Sequence, residues 1–170
     1  MSYSEDYCEY VDYFLVQEGD DLARLSDEGL GVHYTDAEGL RRMMTEGIGS
    51  PRDYFFDHEY SRAVCLLDGD GWARVQAAGG SDAAVEREFF KQFSEPRSIW
   101  FAPDIDYEGE TASPSGIPIR TLIDLEGLGD WLGENVEAWC FGDDAGGYGI
   151  YWSGPPAPSR FVQVDEEYDG

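Results

Sequence analysis

The sequence predicts a single α+β domain: an antiparallel, twisted or split β-sheet with two or three helices, mostly in the N-terminal half. Three observations carry this expectation. About seven short apolar segments of strand length recur between turn signals. Two further segments, both before residue 94, repeat apolar residues at helical spacing. At 170 residues, with 42% hydrophobic and 15% aromatic side chains, the chain can bury one core. No internal repeat or linker divides it, so residues 1–170 are read as one domain.

Taken in order, residues 5–16 place Tyr7, Tyr10, Val11, Phe14 and Leu15 at the spacing of an amphipathic helix. Their Tyr and Val content also allows a strand. Gly19-Asp20-Asp21 breaks that element, and Leu22, Leu25 and Leu30 lead into the next. Val32, Tyr34 and Thr35 favour a strand. Thr35 with Glu38 forms a capping box, so a helix starts there. Ala37, Leu40, Met43 and Met44 share its apolar side, Gly47 sits where a left-handed cap ends it, and Ile48 folds back on the methionines. Ser50-Pro51 opens a loop through Tyr54. Residues 61–67 read as a strand, Asp68-Gly69-Asp70-Gly71 as a turn, and 72–76 as its hairpin partner.

Ser81 caps a second helix over Asp82 to Phe93, with Val85, Phe89 and Phe93 on one face and Pro96 beyond its end. Ile99-Trp100-Phe101 is a short buried strand. Residues 104–115 are polar and rich in Gly, Ser and Pro, which predicts a mobile loop. Residues 117–125 form a strand that passes into a turn or helix carrying Leu128, Trp131 and Leu132. Residues 136–141 and 148–152 make a hairpin, Pro155-Pro156-Ala157-Pro158 a rigid connector, and 160–164 the last strand before the acidic tail 165–170.

The net charge of −25 is the dominant global property. It disfavours a nucleic-acid backbone as partner, because the phosphate interaction would be repulsive. It suits a protein that docks on a basic partner, a halophile's surface, or simple solubility. No apolar run reaches membrane length, and the first residues lack a signal-peptide pattern, so no membrane association and a cytoplasmic location are expected. Cys8, Cys65 and Cys140 form no C-x-x-C pair and are read as reduced, buried or half-buried thiols. Asp68-Gly-Asp-Gly and Asp143-Asp144 lack the spacing of a calcium loop, and His58-Glu59 lacks that of a zinc site, so no metal is expected. P-loop, G-x-S-x-G and G-x-G-x-x-G patterns are absent from the sequence.

The stretch Gly31-Val32-His33-Tyr34-Thr35-Asp36-Ala37-Glu38-Gly39-Leu40, continuing to Gly47-Ile48, places His33 at the end of a strand that turns straight into a helix. Such junctions offer free N–H donors and a positive dipole end to ligands. This stretch resembles the opening of ADP-ribosyltransferase-like toxins and effectors of the His-Tyr-acid type, with a weaker echo at Ser98-Ile99-Trp100-Phe101-Ala102-Pro103. The resemblance implies a split-sheet fold that binds NAD as substrate and transfers ADP-ribose to an acceptor. It implies that His33 holds a ribose, that Tyr34 and Thr35 help place the nicotinamide side, and that Trp100, Phe101 or Tyr54 offers an aromatic wall. It also implies a late acid that stabilises the cation-like ribose as nicotinamide leaves. Asp165, which shares a strand face with Gln163, is the first choice, and Glu166, on the other face, is the second. The alternative is a non-enzymatic acidic binding protein, such as an immunity protein, an antitoxin or a nucleic-acid-mimic inhibitor, docking on a basic partner.

Overall fold

The computed structural model describes residues 13–26, 28–49, 64–101, 119–142 and 147–165. Within them the chain runs β1 (Tyr13–Val16), α1 (Gly19–Ala23), β2 (Leu30–Thr35), α2 (Ala37–Glu46), a 3-10 turn (Val64–Leu66), α3 (Gly69–Ala77), α4 (Asp82–Gln92) and β3 (Pro96–Phe101). It continues through β4 (Ile119–Asp124), α5 (Leu125–Asn135), β5 (Ala138–Gly142), β6 (Tyr148–Ser153), a second 3-10 turn (Ser159–Phe161) and β7 (Val162–Val164). All strand pairs are antiparallel and fall into two sheets, ordered β1-β5-β6-β3 and β2-β4-β7. The α+β class with a split antiparallel sheet is therefore the observed architecture; the described residues hold five helices, more than the two or three expected, and four of them lie before residue 93.

Alternation along the strands sends side chains of the four-stranded sheet into two different cores. Ile150 and Trp152 of β6, Ala138 and Cys140 of β5, and Ile99 and Phe101 of β3 face one core. Ile123 and Val162 of the three-stranded sheet and Leu125, Leu128 and Leu132 of α5 complete it. Phe141 and Tyr151 face the other core, which α3 and α4 close with Trp72, Val75, Val85 and Phe89, beside Phe93 just past the end of α4. The two sheets approach where Gly31 of β2 meets Phe101 of β3: a Cβ on Gly31 would lie 2.6 Å from that ring.

Several elements differ from the sequence-based expectation, each for a physical reason. Residues 13–16 form a strand, because β5 pairs with them from Tyr13–Phe141 to Val16–Ala138; the rest of 5–12 lies outside the described residues. Gly19-Asp20-Asp21 opens a helix instead of breaking one. Glu18 and Asp21 form a capping box, and the acids favour the positive helix end. The cap of α2 is Asp36, whose side chain accepts from the Gly39 N–H at 2.7 Å, and not Thr35 with Glu38. Met44 is exposed, so Met43, Leu40 and Ile48 make the contact with the core.

The expected hairpin at 61–76 is the largest correction. Asp68 accepts from the Gly71 N–H at 2.6 Å and starts α3, so the same residue types that suit a turn serve as a helix cap. Trp72 and Val75, three residues apart, then bury the inner face of α3. Ser81 caps α4 as expected, accepting from the Ala84 N–H at 3.1 Å. The last strand is shorter than 160–164, because a 3-10 turn takes residues 159–161. Cys65 is disulfide-bonded, which overturns its reading as a reduced thiol, while Cys140 is free and buried. The expected loop 104–115 and the tail beyond Asp165 lie outside the described residues.

Candidate functional site

Where the two sheets part, a cleft of about 410 Å³ opens between β2, the first half of α2 and the outer edge of β3. Its walls come from His33, Thr35, Arg42, Met43, Ser98 and the Gly47–Gly49 turn, with Tyr34, Asp36 and Glu38 at the same end. The turn is held from behind. Ile48 and Ala157 exchange two main-chain hydrogen bonds at 2.7 and 2.9 Å. Arg97 donates to the carbonyls of Gly49 and Gly154 at 3.2 and 2.9 Å. Gly47 and Gly49 have φ of +102° and +122°, where a side chain would be strained.

His33 is half-buried, with its Nδ1 2.7 Å from the Trp100 carbonyl oxygen. A carbonyl only accepts, so Nδ1 carries the proton and Nε2 of the neutral ring is an acceptor. Burial pushes the imidazole pKa down, against the upward pull of the bond to Trp100, and the net direction is downward. Burial thus favours the neutral ring. Its own carbonyl accepts from the buried Thr121 hydroxyl at 2.6 Å, which anchors the strand at this point.

The structure gathers some of the expected site residues and separates others. His33, Tyr34 and Thr35 line the cleft. Trp100 contributes its carbonyl to His33, while its ring lies against Gly147 and Gly149. Phe101 is fully buried and stacks on Tyr148 with ring centres 5.0 Å apart, so it offers no wall to a ligand. In the three-stranded sheet, His33 pairs with Thr121, which pairs in turn with Val164, whereas Tyr34 pairs with Arg120, whose carbonyl takes the Asp165 N–H. Asp165 therefore lies in the row next to His33 and on the opposite face. Its carboxylate sits 3.5 Å from the Arg120 guanidinium. Tyr54 and Glu166 lie outside the described residues.

Sequence reasoning assigned no role to Arg42 or Arg97, placed Ser98 only in the weaker motif echo, and read Gly47 and Ile48 only as a helix end. Arg42 is 27% exposed and lies 3.6 Å from Glu46. Among the described residues the carboxylates at the cleft are Asp36 and Glu38, and both are engaged. Asp36 caps α2, and Glu38 is bound by Arg41, whose hydrogen bond and charge hold its pKa down. The only prior signal for the turn was its Gly-Ile-Gly sequence, which reads as a helix cap. The described residues contain no group of three or more His, Cys, Asp or Glu side chains placed to hold a metal ion, and no helix long and apolar enough to cross a membrane. Burial pushes the Cys140 thiol up to about 12, which removes it as a nucleophile.

Comparison with known proteins gives no match: no family model fits the chain, and no curated protein or solved structure is significantly similar to it.

Proposed function

We propose that the chain is an ADP-ribosyltransferase-like domain that binds NAD in the cleft between β2 and β3. The observation that carries this reading is His33: a neutral imidazole at the cleft, fixed through Nδ1 on the Trp100 carbonyl, with Nε2 left to accept from a ribose hydroxyl. Arg42 adds a cationic group to the same cleft. In the transfer reaction the bond from ribose C1′ to nicotinamide breaks, nicotinamide leaves with the electron pair as a neutral molecule, and the acceptor nucleophile bonds to C1′. The acid that stabilises the cation-like ribose is assigned to Glu166, because Asp165 is engaged by Arg120 on the far face of the sheet. Binding is thus supported by described residues, and transfer turns on Glu166; a chain lacking that function would bind NAD without consuming it.

The test is NAD binding and nicotinamide release by the purified chain, at low and high salt, beside His33→Ala and Glu166→Gln. Binding lost in His33→Ala, with release lost in both variants, supports the reading. A well-folded chain that neither binds NAD nor releases nicotinamide removes it.

One surface favours a second reading, an acidic protein that docks on a basic partner. Tyr13 and Leu15, 44% and 40% exposed, sit side by side on the edge strand β1 of a chain with net charge −25. That reading predicts partner affinity that falls steeply with salt and survives His33→Ala. A cytoplasmic location has to accommodate the disulfide at Cys65, since such bonds are rare in reducing compartments.

A further inference from the structure

The sequence holds three cysteines, at positions 8, 65 and 140. Cys65 is disulfide-bonded, and Cys140 is free. The fold gives this division a physical basis. Cys140 of β5 is buried in the aliphatic core, on one face of the four-stranded sheet. Cys65 lies in the first 3-10 turn beside Leu66 and Leu67, which belong to the aromatic core on the other face. A disulfide needs its two Cα atoms within about 7 Å and its Cβ atoms turned toward each other, and the Cys140 side chain points away from the layer that holds Cys65. The remaining thiol of the chain is Cys8.

The turn that carries Cys65 is firmly seated. Gln92, at the end of α4, donates through Nε2 to the Leu66 carbonyl at 3.0 Å and accepts through Oε1 from the Asp68 N–H at 3.0 Å. From the other direction, β1 begins at Tyr13, whose ring centre lies 5.3 Å from that of Phe141 in the same aromatic core. Cys8 precedes Tyr13 by five residues. An extended chain of that length spans at most roughly 17 Å, so Cys8 is held to the side of the sheet where Cys65 lies.

We propose that Cys65 is bonded to Cys8, and that this cross-link fastens the segment before β1 to the helical layer over the aromatic core. Forming the S–S bond takes two protons and two electrons from the two thiols. The oxidant is a small disulfide such as oxidised glutathione, whose own S–S bond breaks to give two thiols. The loop that the bond closes, residues 8 to 65, contains β1, α1, β2 and α2, and with them the His33 wall of the cleft; β3, the opposite wall, lies outside it. Closing so long a loop removes freedom from the unfolded chain and favours the folded one. Cys65 is only 7% exposed, which shields the bond from thiols in solution and makes it a stabilising cross-link, not a centre of thiol exchange. The stability of the chain therefore depends on a thiol-oxidising step, whether or not the cleft takes NAD.

The test starts from the full chain equilibrated with oxidised glutathione, alkylated in the folded state and digested without reductant. The expected result is one species that joins the Cys8 and Cys65 peptides and separates on reduction. An alkylated Cys8, or Cys65 joined to Cys140, to glutathione or to a second chain, overturns the proposal. Thermal melts then compare the oxidised protein with protein reduced in urea and refolded in a phosphine, for the native chain, Cys8→Ser and Cys140→Ala. Reduction is expected to lower the Tm of the native chain and of Cys140→Ala by roughly 5–15 °C, and to leave Cys8→Ser, already at the lower value, unmoved. A native Tm that ignores reduction, or a Cys8→Ser Tm that falls with it, overturns the proposal. Should either variant not fold, the peptide map and the melts of the native chain decide.

Discussion

The four-stranded sheet separates two cores of different chemistry. On one face Leu125, Leu128, Leu132, Ile123, Ile150 and Ile48 make a mainly aliphatic core, with Trp152 and Phe101 inside it, that ties both sheets together. On the other, Phe89, Phe93, Trp139 and Tyr151 make an aromatic cluster, with Phe93 edge-on to Trp139 at 5.7 Å between ring centres. The aliphatic core reaches the cleft through Met43, Ile48 and Ile99, and sets the angle at which the sheets part. The aromatic core lies behind the sheet and contains none of the described cleft-lining residues. Stability is thus shared between two cores, whereas the shape of the site depends on one.

The largest expected effect tests that division. Leu128→Ala and Phe89→Ala each remove a fully buried side chain and are expected to cost about 2–5 kcal/mol in urea unfolding. Below their unfolding midpoints they diverge: Leu128→Ala weakens ligand binding in the cleft, and Phe89→Ala leaves it unchanged. Equal losses of binding would break the comparison.

Arg97→Ala comes next. Losing two charge-assisted hydrogen bonds to the Gly49 and Gly154 carbonyls is expected to cost about 1–3 kcal/mol and to loosen the Gly47–Gly49 turn. Faster hydrogen exchange at Gly49 than at Val85 is the readout; uniform exchange would show that Arg97 serves the whole fold.

Glu88 distinguishes the aromatic side. It is 3% exposed, with Arg74 at 3.1 Å and Lys91 at 3.4 Å. Burial pushes its carboxyl pKa up, but the hydrogen bonds and charges of Arg74 and Lys91 outweigh that and hold it below the usual range. A lowered folded pKa means stability present above the unfolded value of about 4.3 and lost as pH falls through the folded value. Glu88→Gln should therefore lower Tm at neutral pH and flatten its decline in acid, as a pair of melts would show.

The smallest effect belongs to His33. Its lowered pKa makes its contribution to stability full above the unfolded value of about 6.5 and lost as pH falls through the folded one. Ligand binding that needs a neutral Nε2 should persist somewhat below pH 6.5 and then fail. A midpoint for binding at or above 6.5 would show that the imidazole is not held neutral.

Much of this was written locally. The α+β class, the capped helix α4, the hairpin of β5 and β6, and the strand-to-helix junction at His33 all follow from periodicity and capping chemistry that act within a few residues. Asp68-Gly-Asp-Gly shows the limit of that reasoning, because one residue pattern serves both a turn and a helix start, and only the burial of Trp72 and Val75 chose the helix. The site lies further beyond reach. The approach of one sheet to the other put Ser98 and His33 in one cleft, pairing register turned Asp165 to the opposite face, and one imidazole–carbonyl bond at 2.7 Å joins β2 to β3. The sequence alone determined those elements whose propensity and capping agree, because both act over a short range. Tertiary structure alone decided which strands paired and which side chains met, because contacts such as that of His33 with Trp100 join residues more than sixty positions apart.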